Sequence, residues 1–174
     1  MKRESSMSSP LKYLGYSVVF QEVPDEISLA INISGCPHKC EGCHSQYLWK
    51  YRGEYLLDDI KKLLSLYDGM ITCFCFMGGD QNQHDLINCF KRVKDKGLKI
   101  CLYSGAEDLE TLINKNIAQH CDYVKTGRYN HSLGGLDNPN TNQRFYQRKD
   151  GYFEDITEKF YKKHGDSIQL CQNI

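Results

Sequence analysis

The sequence lacks an excess of charge of either sign, because 22 lysine and arginine residues balance 22 aspartate and glutamate residues. This balance provides no bulk electrostatic attraction to nucleic acid or to an anionic membrane surface. The sequence also lacks a long hydrophobic run, since the longest, around residues 71–77, is far shorter than the roughly 20 residues that cross a bilayer. The opening residues MKRESSMSSP have no apolar segment of the kind found in secretory signals. We therefore expect a soluble, cytoplasmic protein.

Several common catalytic arrangements are missing as well. No Ser-His-Asp set, phosphate-binding P-loop or metalloprotease helix is visible in the sequence. Cysteine, in contrast, is abundant, with nine residues. The odd number, and the tight spacing of three of the cysteines, argue against a secreted disulfide framework and favour a reducing cytosol.

The stretch INISGCPHKCEGCHSQYLW, residues 31–49, carries Cys36, Cys40 and Cys43. A structural zinc site needs four protein ligands, whereas this loop offers three closely spaced thiols. A [4Fe–4S] cluster held by three thiolates keeps one iron free to bind a substrate or a cofactor. The loop predicts a metal site, and the residues alone leave two forms of it open. One is a three-thiolate cluster, and the other is a zinc knuckle completed by His44 or by a distant cysteine.

Strand-like and helix-like patterns alternate along the rest of the chain. Runs of β-branched and aromatic residues indicate strands, and apolar residues at three- and four-residue steps indicate amphipathic helices. The predicted strands are residues 14–20, 27–33, 70–77, 98–103 and 122–125, and the predicted helices are residues 56–67, 86–93, 108–113 and, at the periphery, 152–163. This alternation predicts a parallel α/β sheet with right-handed crossovers and ligand-binding loops at the carboxyl ends of its strands.

Five motifs together carry a family resemblance. They are SGCPHKCEGCH, MGGD at residues 77–80, YSG at 103–105, VKTGRY at 124–129 and GGLDNPNTNQRFY at 134–146. The cysteine spacing resembles the signature of the radical S-adenosylmethionine (SAM) enzymes, and the ordered set resembles the activating proteins of anaerobic ribonucleoside-triphosphate reductase. The resemblance implies an α/β fold, a partial parallel (β/α) barrel of five to six strands. We expect a single radical SAM domain at residues 14–163, between a flexible leader at 1–13 and a tail at 164–174.

The resemblance also implies cofactors and their ligands. Cys36, Cys40 and Cys43 would hold one [4Fe–4S] cluster, whose unique iron would bind the methionine part of SAM. Reduction would then yield methionine and a 5′-deoxyadenosyl radical. The residues expected to contact SAM are Gly42, Cys43, His44, Gly78, Gly79, Asp80, Ser104 and Lys125. Asp80 departs from the superfamily pattern, which more often has glutamate here, so its reach toward SAM is shorter.

The implied reaction installs a glycyl radical on the large subunit of anaerobic ribonucleoside-triphosphate reductase. A low-potential donor such as flavodoxin or ferredoxin would supply the electron. Asn142, Gln143 and Arg144 would shape the mouth of the barrel, dock the partner or cap the last strands. Two alternatives stay open: a small radical SAM enzyme that acts on a small molecule, and a non-catalytic iron–sulfur or zinc module.

Other residues around the loop and elsewhere have simpler interpretations. His38 and His44 are expected to lie behind the cysteine ligands of the metal site or to be exposed to solvent. Tyr47 and Trp49 are expected to cover the loop. Free cysteine is among the most buried residue types in proteins. Five further cysteines are therefore predicted to pack in the core: Cys73, Cys75, Cys89, Cys101 and Cys121.

Overall fold

The computed structural model of the protein describes residues 9–161. The strands of this part of the chain are β1 (Lys12–Val19), β2 (Ser28–Ile33), β3 (Glu54–Tyr55), β4 (Cys73–Met77), β5 (Lys99–Tyr103), β6 (Tyr123–Thr126), β7 (Arg144–Lys149) and β8 (Tyr152–Asp155). Its α-helices are α1 (Leu56–Leu66), α2 (Gln83–Lys94) and α3 (Leu109–Asn114), and 3₁₀ turns lie at Gln46–Leu48, Ala118–His120 and Thr157–Phe160. The predicted tail at 164–174 and residues 1–8 of the predicted leader lie outside the described residues.

All these strands form one mixed sheet in the order β3-β1-β2-β4-β5-β6-β7-β8. The four central strands, β2, β4, β5 and β6, are parallel. The flanking strands pair antiparallel. Because β3 and β8 lie at opposite ends of the order, the sheet of the described region is open.

The predicted fold, a partial parallel (β/α) barrel of five to six strands, is wrong. The sheet is mixed, has eight strands within residues 9–161 and does not close. Helices connect the central strands alone, with α1, α2 and α3 between successive parallel neighbours. A parallel pair needs such a crossover, whereas antiparallel strands are joined without one. β1, β7 and β8 connect to their neighbours without a helix and pair antiparallel.

The helix predicted for residues 152–163 is also wrong, because β8 and a 3₁₀ turn occupy the described part of this stretch. Lys149 pairs with Tyr152 across a two-residue turn. The turn residues, Asp150 and Gly151, have φ angles of +49° and +86°. A type I′ hairpin turn requires positive φ at both positions, and Asp-Gly is a favoured sequence for it. The Asp-Gly pair was therefore the signal for a hairpin.

The two faces of the sheet bury different residues. Successive side chains of a strand point to opposite faces, so Phe74 and Phe76 of β4 lie on the face that α1 and α2 cover. Cys73 and Cys75 lie on the other face, in a separate cluster that includes Phe145 of β7. α2 is the longest helix of the described region at 12 residues, and no helix there has the length and apolar character needed to span a membrane.

A buried carboxylate joins the amino-terminal ends of the parallel strands. Glu26, two residues before β2, is 7% exposed and accepts a hydrogen bond from Lys99 Nζ at the start of β5. It also accepts hydrogen bonds from Thr72 Oγ1 at 2.6 Å and from Tyr123 OH at 2.8 Å. Burial by itself would raise the pKa of Glu26, but these three hydrogen bonds outweigh burial and hold the pKa below its usual value. Ionised Glu26 therefore stabilises the sheet edge opposite the cysteine loop.

Replacing Lys99 with methionine is expected to lower the free energy of unfolding by about 1 to 3 kcal/mol, because the buried carboxylate loses its charged donor. A carboxylate whose pKa is lower in the folded than in the unfolded protein stabilises the folded state fully at pH values above its unfolded-state pKa. This contribution is lost as the pH falls through the folded-state pKa. The substitution raises the folded-state pKa of Glu26, so acid destabilisation should begin at a higher pH. Urea unfolding of the metal-free protein at a series of pH values measures both effects. Lys62→Met, at an exposed position of α1, is the control, and identical curves for the two variants would contradict the prediction.

Candidate metal centre and its cavities

The cysteine loop begins where β2 ends and is closed by backbone hydrogen bonds. The N–H groups of Gly35 and Cys36 both donate to the Leu48 carbonyl, at 2.8 and 3.1 Å, which fastens the end of the loop to its start. Inside the loop, the Cys43 N–H donates to the Cys40 carbonyl at 3.2 Å. The three cysteines therefore lie at the sheet edge where β2, β4, β5 and β6 all end.

Two glycines give the loop its tight course. The φ angles are +79° at Gly35 and +71° at Gly42, in the left-handed region that glycine adopts without strain. A Cβ added at Gly42 would lie 3.0 Å from Nδ1 of His131, and one added at Gly35 would lie 3.2 Å from the ring of Tyr51. Both positions therefore combine positive φ with close neighbours.

The side chains of Cys36, Cys40 and Cys43 line one cavity of about 180 Å³. Its other walls come from the loops after β2, β4, β5 and β6. Six of the residues expected to contact SAM line it: Cys43, Gly78, Gly79, Asp80, Ser104 and Lys125. Gly42 and His44, although within the described region, are not among its walls. The fold thus brings most of the predicted site residues together from four separate segments.

A second cavity, of about 620 Å³, lies beside the first. The residues that line both cavities are His38, Asp80, Gly105, Gly127 and Arg128. The second cavity extends toward α3, where Thr111 forms part of its wall. A ligand larger than the first cavity therefore has adjoining space on the α3 side.

Asp80 is held at the boundary between the two cavities. Its Oδ2 accepts a hydrogen bond from Ser104 Oγ at 2.8 Å. Ser104 is 2% exposed, and its Oγ in turn accepts from the Ala106 N–H at 2.9 Å. The preceding turn is fixed by the Gly78 N–H, which donates to the Tyr103 carbonyl at 2.9 Å. The carboxylate is thus positioned by the neighbouring strand end and faces both cavities.

Lys125 of β6 places a buried cation in the cysteine-lined cavity. The residue is 8% exposed, and its Nζ donates to the Gly127 carbonyl at 2.6 Å. Burial lowers the pKa of Lys125 to about 8, while the nearby loop cysteines and Asp80 act in the opposite direction. The ammonium group therefore lies close enough to these groups to attract them and any anionic ligand.

Two buried nitrogen atoms at the cavity have no hydrogen-bond partner among the described residues: His38 Nε2 and Trp49 Nε1. The His38 ring rests over Gly105, where any side chain would overlap it. Burial lowers the pKa of His38, and Asp80 acts to raise it. A buried polar group without a partner costs about 1 to 3 kcal/mol. Both nitrogens are therefore covered by neighbouring protein atoms in residues that line the cavity.

The thiols fit an iron–sulfur cluster better than a single zinc ion. With Zn–S distances of about 2.3 Å in tetrahedral geometry, the ligand sulfurs of one zinc ion lie only about 3.8 Å apart. No three His, Cys, Asp or Glu side chains within residues 9–161 converge so as to hold one ion. A [4Fe–4S] cluster gives each thiolate a separate iron, which spaces the sulfurs farther apart. Three free thiols along one cavity therefore favour the cluster over the zinc knuckle.

Asn142, Gln143 and Arg144 hold the segment that leads into β7. Asn142 Nδ2 donates to the Arg128 carbonyl at 3.0 Å, and Gln143 Nε2 donates to the Gly127 carbonyl at 3.4 Å. Arg144 donates to two carbonyls of the same segment, at 2.7 and 2.8 Å. These contacts favour the capping role among those that the sequence left open.

Sequence reasoning missed several walls of the two cavities. Tyr103 lines the first cavity, and Gly105 and Arg128 line both. The YSG and VKTGRY motifs contain these three residues and were the available signal. Nothing in the sequence indicated that the His38 ring would pack on Gly105, because that contact joins two distant segments.

The prediction that the other cysteines pack in the core is confirmed for those that the structure describes. Cys73, Cys75, Cys89, Cys101 and Cys121 are free and fully buried. Burial raises the pKa of Cys89 to about 12 and also raises the pKa of Cys73 and Cys121, which keeps these thiols protonated. Cys171 lies outside the described residues.

Residues 27–147 match the family model described as a 4Fe-4S single cluster domain. The match extends from the residue before β2 into β7 and contains all three loop cysteines. Fold and site thus define a protein of the single-cluster iron–sulfur class.

A more specific likeness comes from a protein of Enterobacteria phage T4. The chain is 30% identical over 135 residues to the anaerobic ribonucleoside-triphosphate reductase-activating protein of that phage, and the alignment covers 70% of this chain and 85% of the phage protein. The chain belongs to the family of anaerobic ribonucleoside-triphosphate reductase-activating proteins. No solved structure matches the chain significantly.

Proposed function

We propose that the chain is a radical SAM activating enzyme that installs a glycyl radical on an anaerobic ribonucleoside-triphosphate reductase. Cys36, Cys40 and Cys43 would hold a [4Fe–4S] cluster, and its fourth iron would take SAM. One observation carries the proposal: the three thiols line a single cavity together with the turn after β4 and the buried Lys125. The name of the phage relative supplies the partner.

When bound and reduced, the cluster would supply one electron that cleaves SAM into methionine and a 5′-deoxyadenosyl radical, which takes a hydrogen atom from a glycine of the partner. The protein's part is to bind and orient SAM. Asp80 and Lys125 carry opposite charges on the same cavity wall, as the zwitterionic methionine end of SAM requires. In our proposal the Asp80 carboxylate accepts from the SAM ammonium group, and the Lys125 ammonium attracts the SAM carboxylate.

The setting of the reaction is part of the same proposal. Nine cysteines, of which the described ones are all free, suit the reducing cytoplasm. A low-potential protein donor, such as flavodoxin or ferredoxin, would supply the electron. The larger cavity beside Asp80 would leave room for the remainder of SAM, and the partner glycine would approach from there.

The test is anaerobic reconstitution with iron and sulfide, reduction, and analysis of the products from added SAM, with and without the partner reductase. We expect 5′-deoxyadenosine and methionine from the loaded protein, and a glycyl radical signal by electron paramagnetic resonance (EPR) when the reductase is present. A colourless zinc protein that leaves SAM intact would overturn the cluster assignment. Turnover of a metabolite without any protein partner would instead favour a small-molecule enzyme.

Asp80→Asn is expected to raise the dissociation constant for SAM about 10- to 100-fold, because a hydrogen bond to a charged group contributes about 1.5 to 3 kcal/mol. The amide keeps the shape of the side chain and its hydrogen bond with Ser104 while removing the charge. Equilibrium dialysis of labelled SAM against the cluster-loaded protein measures the effect. Asp95→Asn, an exposed position at the end of α2, is the matched control. Equal SAM affinity in both variants would rule out a charged contact at Asp80.

A further inference from the structure

The segment at residues 48–52 runs beside the start of the cysteine loop. The Leu48 carbonyl accepts a hydrogen bond from the Cys36 N–H at 3.1 Å. Farther along the segment, Ser34 Oγ donates to the Arg52 carbonyl at 2.6 Å and accepts from the Arg52 N–H at 3.1 Å. Both ends of the segment are therefore tied to the backbone that presents the first cysteine.

This segment connects the cysteine-lined cavity with the protein surface. Leu48 and Trp49 line the cavity, whereas the next three residues, Lys50, Tyr51 and Arg52, are exposed. The surface thus begins one residue from the cavity wall. Because the rate of electron transfer falls steeply with distance, a donor bound on this surface would lie close to a cluster held by the thiols.

The exposed side chains beside the loop combine aromatic rings with positive charge. The Lys12 ammonium lies 5.2 Å from the centre of the Tyr51 ring and 4.5 Å from the centre of the Tyr55 ring. Both rings are nearly half exposed, at 46% and 45%. Tyrosine and arginine are enriched in protein–protein interfaces. We call this surface the tyrosine–lysine patch, and its residues are Lys12, Lys50, Tyr51, Arg52, Glu54 and Tyr55.

The tyrosine–lysine patch is basic, although the chain as a whole carries no net charge. It holds three cations, Lys12, Lys50 and Arg52, and one carboxylate, Glu54. None of the three cations forms an ion pair with a side chain in residues 9–161. Complementary charges on two proteins speed their encounter, so this patch fits a partner with an acidic surface.

The position of the tyrosine–lysine patch leaves the wider cavity open. That cavity is lined by His38, Asp80 and residues between 105 and 142, and by no residue of the patch. The patch lies at β1 and β3, which β2 and β4 separate from β5 and β6 in the sheet order. A protein on the patch and a ligand in the wider cavity would therefore approach the cysteine loop from different sides.

We infer that the tyrosine–lysine patch docks the acidic protein that supplies the electron to the cluster. The inference rests on the proposed function, in which each SAM cleaved uses one electron. The chain matches a domain with a single cluster, so the electron comes from outside the chain. In the docked complex one electron passes from the reduced donor to the oxidised cluster, and no bond forms or breaks. SAM and the partner reductase use the side of the wider cavity.

The test compares charge reversal on the patch with the same charge change elsewhere. Lys50→Glu/Arg52→Glu is the test variant, and it leaves Lys12 in place over the two rings. Lys62→Glu/Lys96→Glu is the matched control, at exposed positions of α1 and of the turn after α2. Stopped-flow absorbance then measures the rate at which a reduced, acidic flavodoxin reduces the reconstituted cluster of each protein under anaerobic conditions.

We expect the second-order rate constant to fall about tenfold or more in the patch variant at low ionic strength, and to change much less in the control. The difference should shrink at about 1 M salt, where screening limits charge interactions to about 3 Å. Dithionite, a small reductant that needs no docking surface, should give the same yield of 5′-deoxyadenosine in the variants and in the unaltered protein.

Two results would overturn this inference alone. One is an equal rate constant in the patch variant and the control at low ionic strength. The other is a loss of the dithionite-driven glycyl radical signal in the patch variant while its reduction by flavodoxin is unchanged, which would assign the patch to the reductase. An unaltered protein that cleaves no SAM with dithionite would overturn the proposed function, and this inference with it.

Discussion

Replacing Cys40 with alanine is expected to abolish cluster assembly and, with it, cleavage of SAM. A cluster with three thiolate ligands in the unaltered protein would keep two, while the backbone carbonyl of residue 40, which accepts from the Cys43 N–H, stays in place. The loss should exceed the roughly 10- to 100-fold effect typical of residues that lie behind metal ligands. Iron and sulfide content, visible absorbance and yield of 5′-deoxyadenosine measure the result.

Cys89→Ala separates loss of a ligand from loss of a buried thiol. Cys89 is fully buried on α2, on the helix side of the sheet and away from the cavity. Its substitution should cost about 1 kcal/mol of stability and leave cluster content unchanged. If Cys40→Ala and Cys89→Ala bind equal amounts of iron, the cluster is not held where we propose.

Gly79→Ala is expected to lower the free energy of unfolding by about 2 to 6 kcal/mol. The φ angle of Gly79 is +111°, which strains a residue with a side chain by about 1 to 3 kcal/mol. A Cβ there would also lie 2.8 Å from Ile33 Cδ1 and 3.1 Å from Leu86 Cδ1, and overpacking of this kind costs about 1 to 3 kcal/mol more. Urea unfolding of the metal-free protein measures the change.

Gly78→Ala is the matched control for this prediction. Its φ angle is +99°, but an added Cβ would find its nearest neighbours 3.9 Å away at Ile33. We expect the strain of positive φ without the overpacking, so this variant should lose about 1 to 3 kcal/mol. Equal losses at the two positions would mean that packing against Ile33 and Leu86 does not restrict the turn.

The motifs were enough to predict the family, whereas predicting the fold required knowledge of which distant segments pair. Cys36, Cys40 and Cys43 lie within eight residues, so their spacing is readable without knowledge of the fold. The family assignment that rested on this spacing and on the downstream motifs is confirmed. The prediction of a partial barrel was wrong because the direction of the outer strands depends on which strands they pair with. The antiparallel pairing of β6 with β7 is an example.

The error at residues 152–163 has a local cause. The stretch has apolar residues at helical spacing, and the Asp150-Gly151 pair lies directly before it. The turn fixes a two-residue hairpin, and pairing with β7 then holds Tyr152–Asp155 extended. Pairing with a neighbouring strand here outweighed the helical pattern.

By itself, the sequence determined which residue types surround the cysteines and which family the chain belongs to, because spacing within a short loop is a local property. Only the tertiary structure decided that Lys125 is buried at the cysteine-lined cavity and that the Trp49 indole lacks a partner in the described region. It also decided that Asp80 is held by Ser104. These features depend on the packing of segments that lie far apart in the chain, and no local pattern contains that information.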